Sequence, residues 1–294
     1  MPVFIILHYL STEMTVQCVD TLRRIFDGQA FHIVIVDNGS PNGSGAVLFD
    51  KYACIENCTV LLSSENLGFA KGNNLGCVYA TDNLDPEYLI VMNNDVLVED
   101  PDFFTKIRKT YEETDFYVLG PDIYACAADF HQNPISVTGY TQQQVRQIIR
   151  KRKQWLAIYP LHFWWRFISQ KAKKTVGHLL GRKPSKRDNP LSRMDRLNNP
   201  VLHGACYVFS RNFMSVRKEP FVPDTFLYFE EDILHYICTK NNYLMIYDSS
   251  VQVKHLEDVS TNLAFKSEYR KRRMKYRNLI ASASVLLKQM TEGV

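Results

Sequence analysis

Near-continuous apolar runs alternate with stretches in which apolar residues recur every three or four positions. Val3–Leu7 and Phe31–Val36 read as strands buried on both faces, because a half-exposed strand would alternate apolar with polar. Between them Met14, Cys18, Leu22 and Ile25 keep helical spacing, which predicts a helix over Thr12–Phe26. Asn38–Gly45 is rich in turn formers and reads as a loop. Thr59–Leu62 is a third strand, followed by a glycine-punctuated helix from about Gly68. Tyr88–Met92 is a fourth strand, Pro101 opens a helix at the position proline prefers, and Phe116–Leu119 is a fifth strand. Buried strands separated by helices define an α/β fold with a mostly parallel central sheet and right-handed crossovers.

The pattern changes over 130–200. Gln142–Gln144, a basic and aromatic tract and the polar stretch Lys183–Pro190 read as an insertion, not another strand–helix unit. Strand character returns at Val201–Ser210, a helix is predicted over Phe229–Lys240, short strands over Leu244–Tyr247 and Val251–Val253, and a long C-terminal helix over Phe265–Leu287. The chain thus divides into 1–129, the insertion 130–200, and 201–294.

Charge makes the insertion stand out. Residues 146–196 hold 15 Lys or Arg against two acids, a surplus of 13 in a chain whose net charge is +4. An acidic body with one basic segment points to an anionic partner for that segment. Trp155, Phe163, Trp164, Trp165 and Phe167 are interleaved with these cations, a combination suited to a membrane interface; a surface helix pair packed on the core is the plainer reading. Trp155–Ile168 is too short to span a bilayer. Seven scattered cysteines without a C-x-x-C pair fit a reducing compartment, and no signal peptide is legible. The expected location is cytoplasmic, peripheral on the inner face of the plasma membrane.

In parallel α/β sheets ligands bind beyond the carboxyl ends of the strands, so the strand tips are where chemistry is expected. The second strand ends in Asp37-Asn38; Asp37 could accept from a base or ribose, and an Asx turn explains the same residues. Gly68, Gly72 and Gly76 share one helix face, which implies either close helix–sheet packing or a ligand at free N–H groups near the helix start, beside Lys71 and Asn73. The fourth strand ends in Asn93-Asn94-Asp95, hard oxygen donors suited to Mg2+ or Mn2+ on phosphates, or simply a polar turn. Glu230, Glu231 and Asp232 open a helix; dipole complementation accounts for acids there, and one could also serve as a general base. His255 follows a short strand and suits Mn2+ beside a carboxylate, although a lone histidine is more often structural.

Six ordered segments, VIVDNGS (34–40), ENLGFAKGNN (65–74), VMNNDV (91–96), HGACYVFSR (203–211), FLYFEED (226–232) and VKHLEDVST (253–261), together resemble the family-2 inverting glycosyltransferases of GT-A fold, closest to the rhamnosyltransferase-like enzymes of bacterial surface-polysaccharide assembly. The resemblance implies a UDP- or dTDP-sugar donor, a saccharide or lipid-linked acceptor, and Mg2+ or Mn2+. It places Asp37 on the donor pyrimidine, with Asn38, Gly68, Lys71, Asn73, Asn93 and Asn94 around the donor. Asp95 and His255 become the metal ligands. Glu231 is the first choice for general base, with Asp232 and Glu230 as alternatives. Two departures stand out: Asn93 replaces an acid of the D-x-D motif, and Leu10 stands where many members have Asn.

Competing classes fit less well. A nucleotidyltransferase or dinucleotide oxidoreductase would carry glycines after the first strand, where Leu7–Ser11 has none. A non-enzymatic nucleic-acid or membrane-binding protein on an inactive transferase fold would use the basic insertion, but leaves the acids of the strand tips without a role.

Overall fold

The computed structural model describes residues 1–165, 168–169, 188–257 and 267–292. Arg166, Phe167, Lys171–Lys174 and most of Lys183–Pro190 lie outside the described residues, as does the end of the 253–261 segment.

Strands β1 (Pro2–His8), β2 (His32–Asp37), β3 (Cys58–Leu62) and β4 (Tyr88–Asn93) alternate with helices α1 (Thr12–Ile25), α2 (Ser44–Tyr52) and α3 (Gly68–Asn83). There follow β5 (Val96–Leu97), α4 (Phe103–Thr114), β6 (Val118–Ala125), β7 (Phe130–His131), α5 (Gln142–Ala157), β8 (Arg196–Asn198) and β9 (Cys206–Ser210). Helices α6 (Arg211–Val216) and α7 (Glu230–Lys240), strand β10 (Met245–His255) and helix α8 (Glu268–Glu292) complete the order. One sheet runs β3-β2-β1-β4-β9-β6-β10-β5, with β7 on β6 and β8 on β10. β1 pairs in parallel with both β2 and β4, so the strand order reverses beside β1, the point at which such sheets open a ligand crevice.

The fully buried strands feed two cores by simple alternation. Phe4, Ile6, Ile33 and Ile35 face α1, α2 and α4; Val3, Ile5, Val34 and Val36 face α3, α6 and α7. A third cluster joins α5, α7 and α8 through Val145, Ile149, Phe229, Ile233, Ala283 and Leu286, so the start of the 130–200 segment packs on the C-terminal helix.

The fifth strand, β6, is separated from β4 by β9, which is antiparallel to both. Three expectations are corrected. The loop expected over Asn38–Gly45 ends sooner, because helix α2 begins at Ser44. The two short strands near the C-terminus are one strand, β10, bulged between Asp248 and Gln252. There Asp248 accepts from Thr110 and Arg196 at 2.7 and 2.6 Å and from Ser250, which turns an apparent polar break into a satisfied kink. The strand expected over Val201–Ser210 begins only at Cys206.

Candidate active site

The ends of β1, β2 and β4 carry a buried polar seam. In register, His8 lies beside Asp37 and Leu7 beside Asn93. Asp37 is buried and accepts from the Ser40 N–H at 3.3 Å, the Asx-like turn the sequence allows. Gly45 closes on its other side, since a Cβ there would meet Asp37 Oδ2 at 2.2 Å. His8 Nε2 stands 3.9 Å from Asp37 Oδ1, and the two ring nitrogens bridge Thr15 Oγ1 at 2.7 Å and Ser44 Oγ at 2.8 Å. Burial pushes the His8 pKa down to about 4, against the pull of Asp37, so the ring is neutral and acts as a hydrogen-bonding strut. Asn94 Nδ2 donates to the same Thr15 hydroxyl at 2.9 Å. The chain of contacts Asp37, His8, Thr15, Asn94 therefore links the tips of three strands to the residue before Asp95.

Asp95 and His255 meet at 3.3 Å between Oδ1 and Nε2, both buried. The Leu256 N–H donates to the Asp95 carbonyl at 2.9 Å and fixes the two tips together. Gln132 Nε2 donates to Glu257 at 3.0 Å, so its Oε1 is left to accept from His255 Nδ1 at 2.7 Å. That makes Nδ1 a donor and sets Nε2 against a carboxylate oxygen. Two acceptors facing each other call for a shared proton or a cation, and an imidazole oriented from behind by a polar partner is how metal-ligating histidines are held. The donor set therefore fits Mg2+ or Mn2+. Among the described residues no group of three or more His, Cys, Asp or Glu gathers to hold an ion, so Asp95 and His255 would need further ligands from elsewhere.

His203 is a residue that sequence reasoning assigned no role. Its ring centroid lies 6.1 Å from that of His255, and its Nδ1 accepts from the Ala205 N–H at 3.2 Å. Burial, then the neighbouring His255, lower its pKa to about 4, so the ring stays neutral with its proton on Nε2. The signal was available once topology is known: an antiparallel β9 returns its leading loop to the rim where β4 ends.

The same 203–205 loop meets the acids of α7. A Cβ at Gly204 would lie 2.8 Å from Glu231 Oε1, and the Gly204 N–H donates to that carboxylate. Burial raises the Glu231 pKa, and burial with the Glu231 charge raises that of Asp232 to about 7. Glu230 differs. It is buried, its Oε1 has no hydrogen-bond partner, and burial pushes its pKa up to about 8. That shift disfavours the ionised form that a base needs. Tyr228 and Phe229, just ahead of the three acids, both hold positive φ (76° and 68°), a strained entry of the kind that over-determined functional loops retain.

Around the donor side, Asn38 is fully engaged: its Nδ2 donates to Asn66 Oδ1 and Gly68 O, and its Oδ1 accepts from the Leu67 N–H at 2.8 Å. The Gly68 N–H goes to Asn66 and the Phe69 N–H to Phe226 O at 2.8 Å. The expectation of free N–H groups at the first residues of α3 is corrected accordingly. Gly72 and Gly76 pack on Leu7 and Ile5, the close-packing alternative. Asn74 ties α3 to the Phe221 backbone in both directions at 2.7 and 3.0 Å. Asn73 donates to Phe69 O at 2.9 Å and keeps a buried, unpartnered Oδ1, while Lys71 is exposed. Asn93 is half-buried and its N–H donates to Ala205 O at 3.0 Å, which joins the metal-side tip to the His203 loop.

Gly68 is the joint between donor side and acids. Its φ is +79°, and a Cβ would come 2.5 Å from Phe226 O, four residues before Glu230. Gly68→Ala is expected to destabilise the fold by about 1–3 kcal/mol through strain and displaced backbone, read as a lowered melting temperature. An unchanged melting temperature would show that the 226–229 segment does not rest on α3.

An open cavity of about 600 Å3 lies near the same strands, lined by Glu99, Asp122, His131 and Lys254. Its charges pair among themselves, Lys254 with Glu99 at 2.6 Å and His131 with Asp122 at 2.8 Å. Lys254 and His255 are consecutive in β10 and leave opposite faces of the strand, so the cavity is not the space that the rim residues share.

A mostly parallel α/β sheet with polar residues gathered at the strand tips beside its reversal point is the architecture of GT-A glycosyltransferases. The model of glycosyl transferase family 2 matches residues 3–177, and the chain belongs to that family. No curated protein sequence matches the chain. Solved structures of the same fold include Staphylococcus aureus TarS residues 1–349, at 10% identity over 99% of this chain and 73% of that one, TM-score 0.53. The mannosyltransferase PcManGT from Pyrobaculum calidifontis in complex with GDP-Man and Mn2+ is similar at 11% identity over 100% of this chain and 75% of that one, TM-score 0.54. GalNAc-T7 with UDP, GalNAc and Mn2+ is similar at 9% identity over 92% of this chain and 49% of that one, TM-score 0.56.

Proposed function

We propose that the protein transfers a hexosyl or deoxyhexosyl group from a UDP- or dTDP-sugar to a saccharide or lipid-linked saccharide, with inversion, in surface-polysaccharide assembly of the rhamnosyltransferase-like type. The observation that carries this is the continuous seam from Asp37 through His8, Thr15 and Asn94 to Asp95 and His255, with Glu231 against the loop that bears His203. Asp37 meets the pyrimidine, and Asn73 Oδ1, buried without a partner, accepts from a donor hydroxyl. Asp95 and His255 would hold Mg2+ or Mn2+, which offsets diphosphate charge and favours departure of the leaving group. His203 offers a neutral N–H to a diphosphate oxygen. Glu231 takes the proton of the acceptor hydroxyl as that oxygen attacks the anomeric carbon opposite the leaving group, and the configuration inverts. The relatives in complex with GDP-Man and Mn2+, UDP with Mn2+, and UDP-GlcNAc support a nucleotide-sugar donor and a divalent cation, without choosing the nucleobase. No helix among the described residues is long and apolar enough to cross a membrane, and the basic segment 146–196 would bring the enzyme to the cytoplasmic leaflet where a lipid-linked acceptor sits.

A thermal-shift panel tests this. UDP or dTDP with Mn2+ should stabilise the protein more than GDP or ADP, because stabilisation follows ligand concentration over the dissociation constant. Asp95→Ala should remove the metal-dependent part and leave the nucleotide-only part. Equal shifts with all four nucleotides would remove the pyrimidine assignment.

A further inference from the structure

The helical stretch 159–165, continued at 168–169, has two unlike faces. Tyr159, His162 and Phe163, with Trp155 from α5, stack inward on the C-terminal helix: Tyr159 on Tyr269 at 4.7 Å, Phe163 on Tyr269 at 5.0 Å, Trp155 on His162 at 4.9 Å and on Tyr276 at 5.8 Å. These contacts meet the packing needs of the stretch. Ile158, Leu161, Trp165 and Ile168 point the other way and are 53%, 75%, 68% and 63% exposed. Leu161 and Trp165, four residues apart in the stretch 159–165, share one side of the helix, with exposed Ile158 and Ile168 before and after it. A large apolar stripe left in water is not ordinary surface; it marks a binding face.

The border of the stripe says what covers it. Between Gln142 and Trp165 there are five cations, Arg146 and Arg150–Lys153, and no acid; Glu268–Arg277 adds six cations and one acid. Lys151, Lys153, Arg270 and Arg273 are exposed. Arg152 and Arg272 lie over Trp155 and Phe163 at 4.6 and 5.6 Å, on the side packed against the C-terminal helix, so the exposed Lys151, Lys153, Arg270 and Arg273 are the cations left to meet a partner. A second copy of the chain would bring like charges together, whereas an anionic surface satisfies cations and stripe at once. We infer that this face is an in-plane anchor for an anionic lipid bilayer: Ile158, Leu161, Trp165 and Ile168 enter the boundary between headgroups and acyl chains, and the flanking Lys and Arg meet lipid phosphates. The anchor deepens the proposed reading, whose acceptor is carried on lipid, but its test reads binding alone.

Vesicle flotation decides it. The full-length protein should float with phosphatidylcholine vesicles containing about one third phosphatidylserine, stay behind with pure phosphatidylcholine, and lose binding as salt rises from about 0.1 to about 0.5 M. The combined substitution Leu161→Ser, Trp165→Ser, Ile168→Ser should cut the bound fraction at least about tenfold at an unchanged melting temperature, because those side chains already face water. The inference is overturned by a wild-type protein that stays unbound at low salt, by a triple variant that floats equally well, or by a wild-type dimer that the triple substitution makes monomeric without vesicle binding. Vesicle binding without any nucleotide-sugar binding would remove the transferase reading and leave the anchor; nucleotide-sugar binding without flotation would do the reverse.

Discussion

Glu231→Gln should lower kcat by about 10²–10⁴-fold, the usual contribution of a positioned general base, while nucleotide binding and melting temperature stay near wild type. Gln keeps the shape of Glu and still accepts from the Gly204 N–H, so the substitution removes proton affinity and little else. The neighbouring acids give the contrast. Asp232→Asn should cost less than about tenfold, since Glu231 and not Asp232 lies against the loop that reaches His203 and the metal-side tips. A collapse of activity in Asp232→Asn with a mild Glu231→Gln would reverse the assignment. Burial raises the Glu231 pKa, and the base must be ionised to work, so kcat/KM should fall on the acid side at a pH above the ordinary carboxylate range. Glu231 and Asp232 interact, so that limb belongs to the pair.

Glu230→Gln should stabilise the protein at pH 9 by a few kcal/mol and change little at pH 5. The folded state holds the Glu230 proton with a pKa near 8, raised by burial and by the Glu231 charge from a usual 4.5. A raised folded pKa means that the stabilisation is fully present below about 4.5 and is lost as pH rises through about 8. Glutamine cannot ionise, so the variant should escape that loss; melting curves should separate as pH rises from about 4.5 and stay several degrees apart above about 8. Parallel curves would show that Glu230 is ionised throughout and leave its unpartnered Oε1 without an explanation.

Which parts of this were legible in the sequence follows from what side-chain pattern encodes. The strands β1, β2 and β4 declared themselves because burial on both faces leaves almost no polar position to interrupt the run. Direction and neighbour do not show in such a run, so β9 gave no sign of lying antiparallel between β4 and β6. Helix α2 begins Ser44-Gly45 after Asn42, residues that favour turns until Asp37 and His8 are seen to occupy the space beside them. The polar triplet Asp248–Ser250 read as a break because its partners Thr110 and Arg196 come from distant segments. At the rim, Asp37, Asp95 and His255 are legible as polar residues that end apolar runs, while the roles proposed for them come from the family resemblance. His8 and His203 are not, since each is defined by register and by a loop returned from elsewhere. The three acids of α7 were visible as a group; only packing tells Glu230 from Glu231, which Gly204 holds.

Under the proposed function a nucleoside diphosphate and a divalent cation share one rim built from β1, β2, β4 and β10, which soaking crystals with UDP and Mn2+ tests in a single experiment. Anomalous density for Mn2+ is expected in contact with the Asp95 carboxylate and His255 Nε2, with the uracil ring against Asp37. Density for the cation or the nucleotide in another part of the molecule, with Asp95 and His255 still in direct contact, would contradict it.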